Sequence, residues 1–101
     1  MSRRAEIDVL ATLVGLSAGH YAAWGPKNRE AFGYERRLLD RNRKIRLNED
    51  ELVRFRKLAV TRALQYLEKK VQLGAVRLEE LATLQDGVQA EVDRLMSELR
   101  W

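Results

Sequence analysis

Apolar and polar positions divide this chain into three stretches of different pattern. From Val9 to Trp24, sixteen consecutive residues, VLATLVGLSAGHYAAW, carry no acid, lysine or arginine. Small residues recur there at every fourth position, Ala11, Gly15, Gly19 and Ala23, which puts all four on one face of a helix. Val9, Leu13, Leu16 and Trp24 occupy the other side. Such a helix is bulky on one face and bare on the other, and the bare stripe lets a second backbone come close. The spacing therefore predicts a helix-packing interface at Ala11, Gly15, Gly19 and Ala23, centred on Gly15-x-x-x-Gly19, the small-xxx-small pattern of helix pairs in membranes.

The run is apolar all round, whereas the surface helix of a small bundle keeps a charged face. Residues 1–25 accordingly read as a short membrane-embedded helix. At about 1.5 Å per residue the uncharged segment spans roughly 24 Å, short of the ~30 Å hydrocarbon core. Arg3, Arg4 and Lys27 are expected to snorkel from its two ends, with Tyr21 and Trp24 at the interface and His20 near the headgroups. The other reading of such a run is a buried core helix of a soluble bundle. Gly25-Pro26 then ends or sharply bends the helix, because proline disfavours helical geometry in the residue before it.

Residues 26–47 predict a basic amphipathic helix, with Phe32, Leu38, Leu39 and Ile45 as a sparse apolar seam beside a wide basic face. Asn48, with Glu51 three residues on, is a capping-box start for the next helix, and Glu49 and Asp50 favour its dipole. From there a heptad holds its phase, with a seam of Val60, Leu64, Leu67, Val71, Leu78, Leu81, Val88, Val92, Leu95 and Leu99. Unbroken phase favours one long coiled-coil helix over residues 48–101, roughly 80 Å in length. The alternative is a helical hairpin turning at Gln72-Leu73-Gly74-Ala75, with Gly74 as a C-terminal cap. The expected fold class is all-α throughout.

Charge sharpens this picture. The chain of 101 residues carries a net charge of +4, and eleven of its nineteen Lys and Arg residues lie between Lys27 and Lys57. In that stretch Arg36, Arg37, Arg41, Arg43, Lys44 and Arg46 form a cluster suited to lipid headgroups or another polyanion. Placed shortly after an apolar helix, the cluster points to anionic lipid such as cardiolipin. Nucleic acid is disfavoured, because no aromatic residues are interleaved as a stacking platform. The N-terminal MSRRAEID imitates the charged start of a secretory signal, but Gly25-Pro26-Lys27 is unfavourable for cleavage, so the segment is expected to stay uncleaved.

Catalytic chemistry has little material. There is no cysteine, which excludes disulfides, thiolate metal sites and cysteine nucleophiles. The single histidine, His20, lies in the apolar run, about 120° around the helix from Asp8, so the two do not form an acid–base pair on one helix. No metal-ligand cluster or phosphate-binding glycine loop is visible in the sequence, and neither an enzymatic role nor a cofactor is expected.

An apolar N-terminal helix with Gly15-x-x-x-Gly19, an aromatic and basic exit from Tyr21 to Arg37, and a charged coiled-coil arm resembles, in layout, subunit e of the mitochondrial ATP synthase. The resemblance implies that Gly15 and Gly19 pair with the membrane helix of a neighbouring subunit in the inner mitochondrial membrane. It also implies that the arm supports assembly or dimerisation of the complex. The present chain departs from that pattern in its long arm, in His20 directly after the second glycine, and in positive charge concentrated after the apolar helix. The expected function is a non-catalytic accessory membrane subunit of a respiratory-chain or ATP synthase complex, partnered by other subunits through the apolar helix and coiled coil. The alternative is a soluble, cytoplasmic helical protein-interaction module of coiled-coil or bundle type, of the kind found in phages or bacteria.

Overall fold

The computed structural model describes residues 2–25 and 46–98. Their secondary structure is wholly helical: α1 (Arg3–Trp24), α2 (Glu49–Gln72) and α3 (Leu81–Glu98), with a single 3-10 turn at Leu78–Glu80 leading into α3. Local chemistry sets each boundary. The Ser2 side chain caps α1 by accepting from the Ala5 N–H at 3.2 Å, and α1 ends at Gly25, whose φ of 77° lies in the left-handed region that glycine tolerates. At the start of α2 the capping box is present in both directions. The Glu51 N–H donates to the Asn48 side chain at 2.8 Å, and the Asn48 N–H donates to the Glu51 carboxylate at 3.1 Å.

The order of contacts fixes the topology. Arg3 pairs with Glu51 and Asp8 with Arg54, Gly15 abuts Ala59, Gly19 abuts Tyr66, and Lys70 lies over Trp24, so α1 and α2 run parallel. In α3 the order reverses, because Gly87 faces Ala22 whereas Asp93 pairs with Arg56 near the start of α2. Among the described residues the result is a three-helix arrangement with α3 antiparallel to the other two. Its core is formed by Leu10, Val14 and Ala18 of α1, Phe55, Ala59, Ala63 and Leu67 of α2, and Val88, Val92 and Leu95 of α3. Fully burying each large aliphatic or aromatic side chain contributes about 1.5–3 kcal/mol. Leu47, just before α2, is buried in the same core.

Two expectations change here. First, the helix at residues 1–25 is a core helix: Ile7, Leu10, Val14 and Ala18 are buried, and no helix among the described residues is long and apolar enough to cross a membrane. Among the described residues α2 approaches α1 closely along its small residues, Leu13 packs against the core, and Val9 and Leu16 are half-buried. Second, residues 48–101 do not form one rod. The helix stops at Gln72, Gly74 takes a φ of 77°, and the Ala75 N–H returns to the Lys70 carbonyl at 2.9 Å, closing the last turn. Heptad phase carries no signal of the break, because it records which positions are apolar and not the backbone between them. The basic helix predicted for residues 26–47 lies outside the described residues apart from Arg46 and Leu47, which are not helical.

Spin labels at the exposed residues Gln65 and Gln89 test the hairpin. A continuous rod would hold them about 36 Å apart. The hairpin is expected to give a distribution well below that value in double electron–electron resonance.

Candidate interaction site

The predicted small-residue stripe is a packing interface whose partner lies in the same chain. Ala11, Gly15 and Gly19 are buried, and Ala23, at the end of the stripe, is half-buried. A methyl group built on Gly15 would stand 2.5 Å from the Ala59 carbonyl oxygen and 2.6 Å from Cβ of Arg62. One built on Gly19 would stand 2.8 Å from the Tyr66 ring and 3.1 Å from the Ala63 carbonyl oxygen. Only glycine admits so close a backbone approach. The complementary surface is Ala59-x-x-x-Ala63 on α2, a second small-residue pair four residues apart. That signal was present in the sequence, but a heptad reading weighted toward large aliphatics passes over alanine.

Beyond Gly19 the seam becomes aromatic. His20, only 3% exposed, forms a hydrogen bond of 3.1 Å between its Nδ1 and the Tyr66 hydroxyl. Its ring lies 5.1 Å from that of Trp24, and Trp24 meets Tyr66 edge-on at 6.1 Å. The Lys70 ammonium sits 5.7 Å from the Trp24 ring and 5.3 Å from the Tyr66 ring. His20 is thus a satisfied seam residue and not a headgroup contact.

Ion pairs at the other end hold the register. Arg3 donates two hydrogen bonds to Glu51, at 3.1 and 2.9 Å, and a third to the Arg46 carbonyl. Arg56 donates to Asp93 at 2.7 and 3.2 Å, joining α2 to α3. The Arg3 hydrogen bond holds the Glu51 carboxyl below its ordinary value, and the Arg56 hydrogen bond does the same for Asp93. On α3, Glu91 is 4% exposed and receives both a 2.9 Å and a 2.5 Å hydrogen bond from Arg94.

The heptad seam divides. Leu67 of α2 and Val88, Val92 and Leu95 of α3 are buried as expected, and Leu81 packs on the core. Leu78, however, is 68% exposed at the hairpin, and Leu99 lies outside the described residues. On α2 the fully buried stripe is Phe55, Ala59, Ala63 and Leu67, spaced by fours. At 100° per residue it lies about 100° from the stripe formed by Val53, Val60, Leu64 and Val71. Val53 is 62% exposed and Val60, Leu64 and Val71 are half-buried, Val60 packing against the core, so this second stripe runs along the flank of α2 at the edge of the core. Among the described residues, Lys57 and Glu68, both exposed on the same flank, have no ion-pair partner.

Of the residues assigned to lipid or polyanion contact, Arg36, Arg37, Arg41, Arg43 and Lys44 lie outside the described residues. Arg46 is exposed beside Arg3. Open depressions lie on the surface of the described residues. One of about 790 Å³ is lined by Arg77, Glu79, Glu80, Thr83 and Leu84, and one of about 270 Å³ by Arg3, Arg4, Ile7, Asp8, Glu51 and Arg54. No group of three or more metal-ligating side chains occurs among the described residues.

The glycine contacts set the sign of three substitutions. Gly15→Ala is expected to destabilise by about 1–3 kcal/mol, because the methyl meets a backbone carbonyl that cannot turn aside. Gly19→Ala should be milder, since a tyrosine ring can shift, and Gly87→Ala, with nothing nearer than 3.9 Å, should stabilise by up to about 1 kcal/mol through helix propensity. Urea unfolding of the three variants checks the ranking.

A pH series tests the α2–α3 ion pair. The folded Asp93 pKa lies below the ordinary 3.8, so its contribution is complete above that value and is lost as pH falls through the folded one. Asp93→Asn should therefore cost less than about 1 kcal/mol at neutral pH, both side chains being well solvated, and nothing in strong acid. Melting temperatures of the two proteins should converge on acidification.

The chain matches no protein-family model, no curated protein and no solved structure.

Proposed function

We propose that this chain is a non-catalytic helical protein-interaction module that binds an amphipathic helix of another chain along the outer flank of α2. The observation that carries this reading is the division of α2 into two stripes. Ala59 and Ala63 are closed against Gly15 and Gly19 of α1, whereas Val53, Val60, Leu64 and Val71 run along the flank, Val53 62% exposed, Leu64 and Val71 half-buried and Val60 partly covered by the core. A row of apolar side chains at heptad spacing fits the complementary row of a second helix.

The same contacts bear on the membrane-subunit reading. Gly15 and Gly19 carried the resemblance to ATP synthase subunit e, and with α2 seated on them they offer no place for a helix of a neighbouring subunit. That leaves the α2 flank as the surface with an argument for a partner.

A photo-crosslinking residue introduced at Val53 or Val71 is expected to give a discrete protein adduct in the source cell. One at Gln65, on a different face of α2, is expected to give none. Val53→Asp should lower the adduct yield at Val71 while leaving the thermal melt within about 0.5 kcal/mol, as for other exposed substitutions. Equal labelling from Gln65, or no adduct from the flank, would rule the reading out.

A further inference from the structure

The flank of α2 is self-complementary. In an antiparallel pair related by a two-fold axis every contact is made twice, so a surface that binds its own copy carries matched residues at equal distances on either side of one point. On α2 that point is Arg62. A two-fold axis there sets Val53 against Val71 of the second copy and Val60 against Leu64. One residue out of that register, Lys57 meets Glu68, again twice by symmetry. These are two exposed, oppositely charged residues without ion-pair partners among the described residues. A parallel arrangement would instead hold Lys57 and Glu68 of the two copies about 16 Å apart along the axis, so that neither meets its opposite charge.

Resting on the docking surface proposed above, we infer that the helix it binds is α2 of a second copy of this chain, in an antiparallel two-fold dimer. The apolar pairs supply the attraction and the Lys57–Glu68 pairs fix direction and register, as charged flanking positions do in helix pairs generally. The glycine and alanine stripe stays inside each copy.

The absence of cysteine from the sequence makes the test direct, because introduced thiols report without background. Full-length Val53→Cys and Val71→Cys chains are mixed under mild oxidation and resolved by non-reducing electrophoresis. The antiparallel dimer yields the mixed disulfide and little of either self-disulfide, since two Val53 positions then lie about 27 Å apart. Sedimentation of the unmodified chain should show a dimer. Lys57→Glu and Glu68→Lys should each weaken it by roughly threefold to tenfold, and the double exchange should restore it. Self-crosslinking of Val53→Cys in preference to the mixed product overturns the antiparallel arrangement. A strictly monomeric chain whose flank forms adducts with a different polypeptide in cells overturns the second copy and leaves the docking surface standing. A monomer without adducts overturns both.

Discussion

The backbones of α1 and α2 meet where Gly15 and Gly19 face Ala59 and Ala63, and the rest of the arrangement follows from how close that contact is. A single methyl on Gly15 would come within 2.5 Å of a carbonyl oxygen. Dispersion attraction falls steeply with distance, so helices that approach to this degree gain many contacts from small side chains alone. It also aligns the larger groups on either side. Ion pairs Arg3–Glu51 and Asp8–Arg54 lie toward the helix starts, and the His20, Trp24, Tyr66 and Lys70 cluster lies toward the ends. The parallel orientation of the two helices is expressed in that gradient of contacts.

Once α2 turns its alanines toward α1, its larger aliphatics are displaced to the flank. A helix has only about 100° of rotation per residue to distribute its side chains. Phe55, Ala59, Ala63 and Leu67 take the inner face, so Val53 is left exposed, Leu64 and Val71 are half-buried, and Val60 sits at the edge of the core. The exposure of Val53 and the flank proposed for docking therefore follow from the glycine contact. α3 completes the core with Val88, Val92 and Leu95 and is tied to α2 by the Arg56–Asp93 pair. A pair so exposed contributes more to alignment than to stability.

Much of the local structure was legible in the residues. The Asn48 and Glu51 capping box, the stop at Gly25, the all-α class and the close-packing role of Gly15 and Gly19 follow from short-range rules of hydrogen bonding and sterics. The end of α2 was signalled by Gly74, a residue that enters the left-handed region without strain. Heptad phase spoke against a break there, because phase records which positions are apolar and not whether the backbone between them is continuous. His20 was legible as a residue needing a polar neighbour; its neighbour, Tyr66, lies 46 positions away and is brought close only by packing.

The sequence by itself determined that these segments are helical, where α1 ends and α2 begins, and which face of α1 would accept another backbone. Those properties depend on neighbours within a few residues, and the chain states them directly. Tertiary structure alone decided whose backbone it would be. A stripe of glycines is equally satisfied by a membrane partner or by Ala59 and Ala63 of the same chain, since close packing is indifferent to the origin of the second helix. The choice also decided which stripe of α2 is core and which is surface, because inner and outer face are defined only relative to α1 and α3.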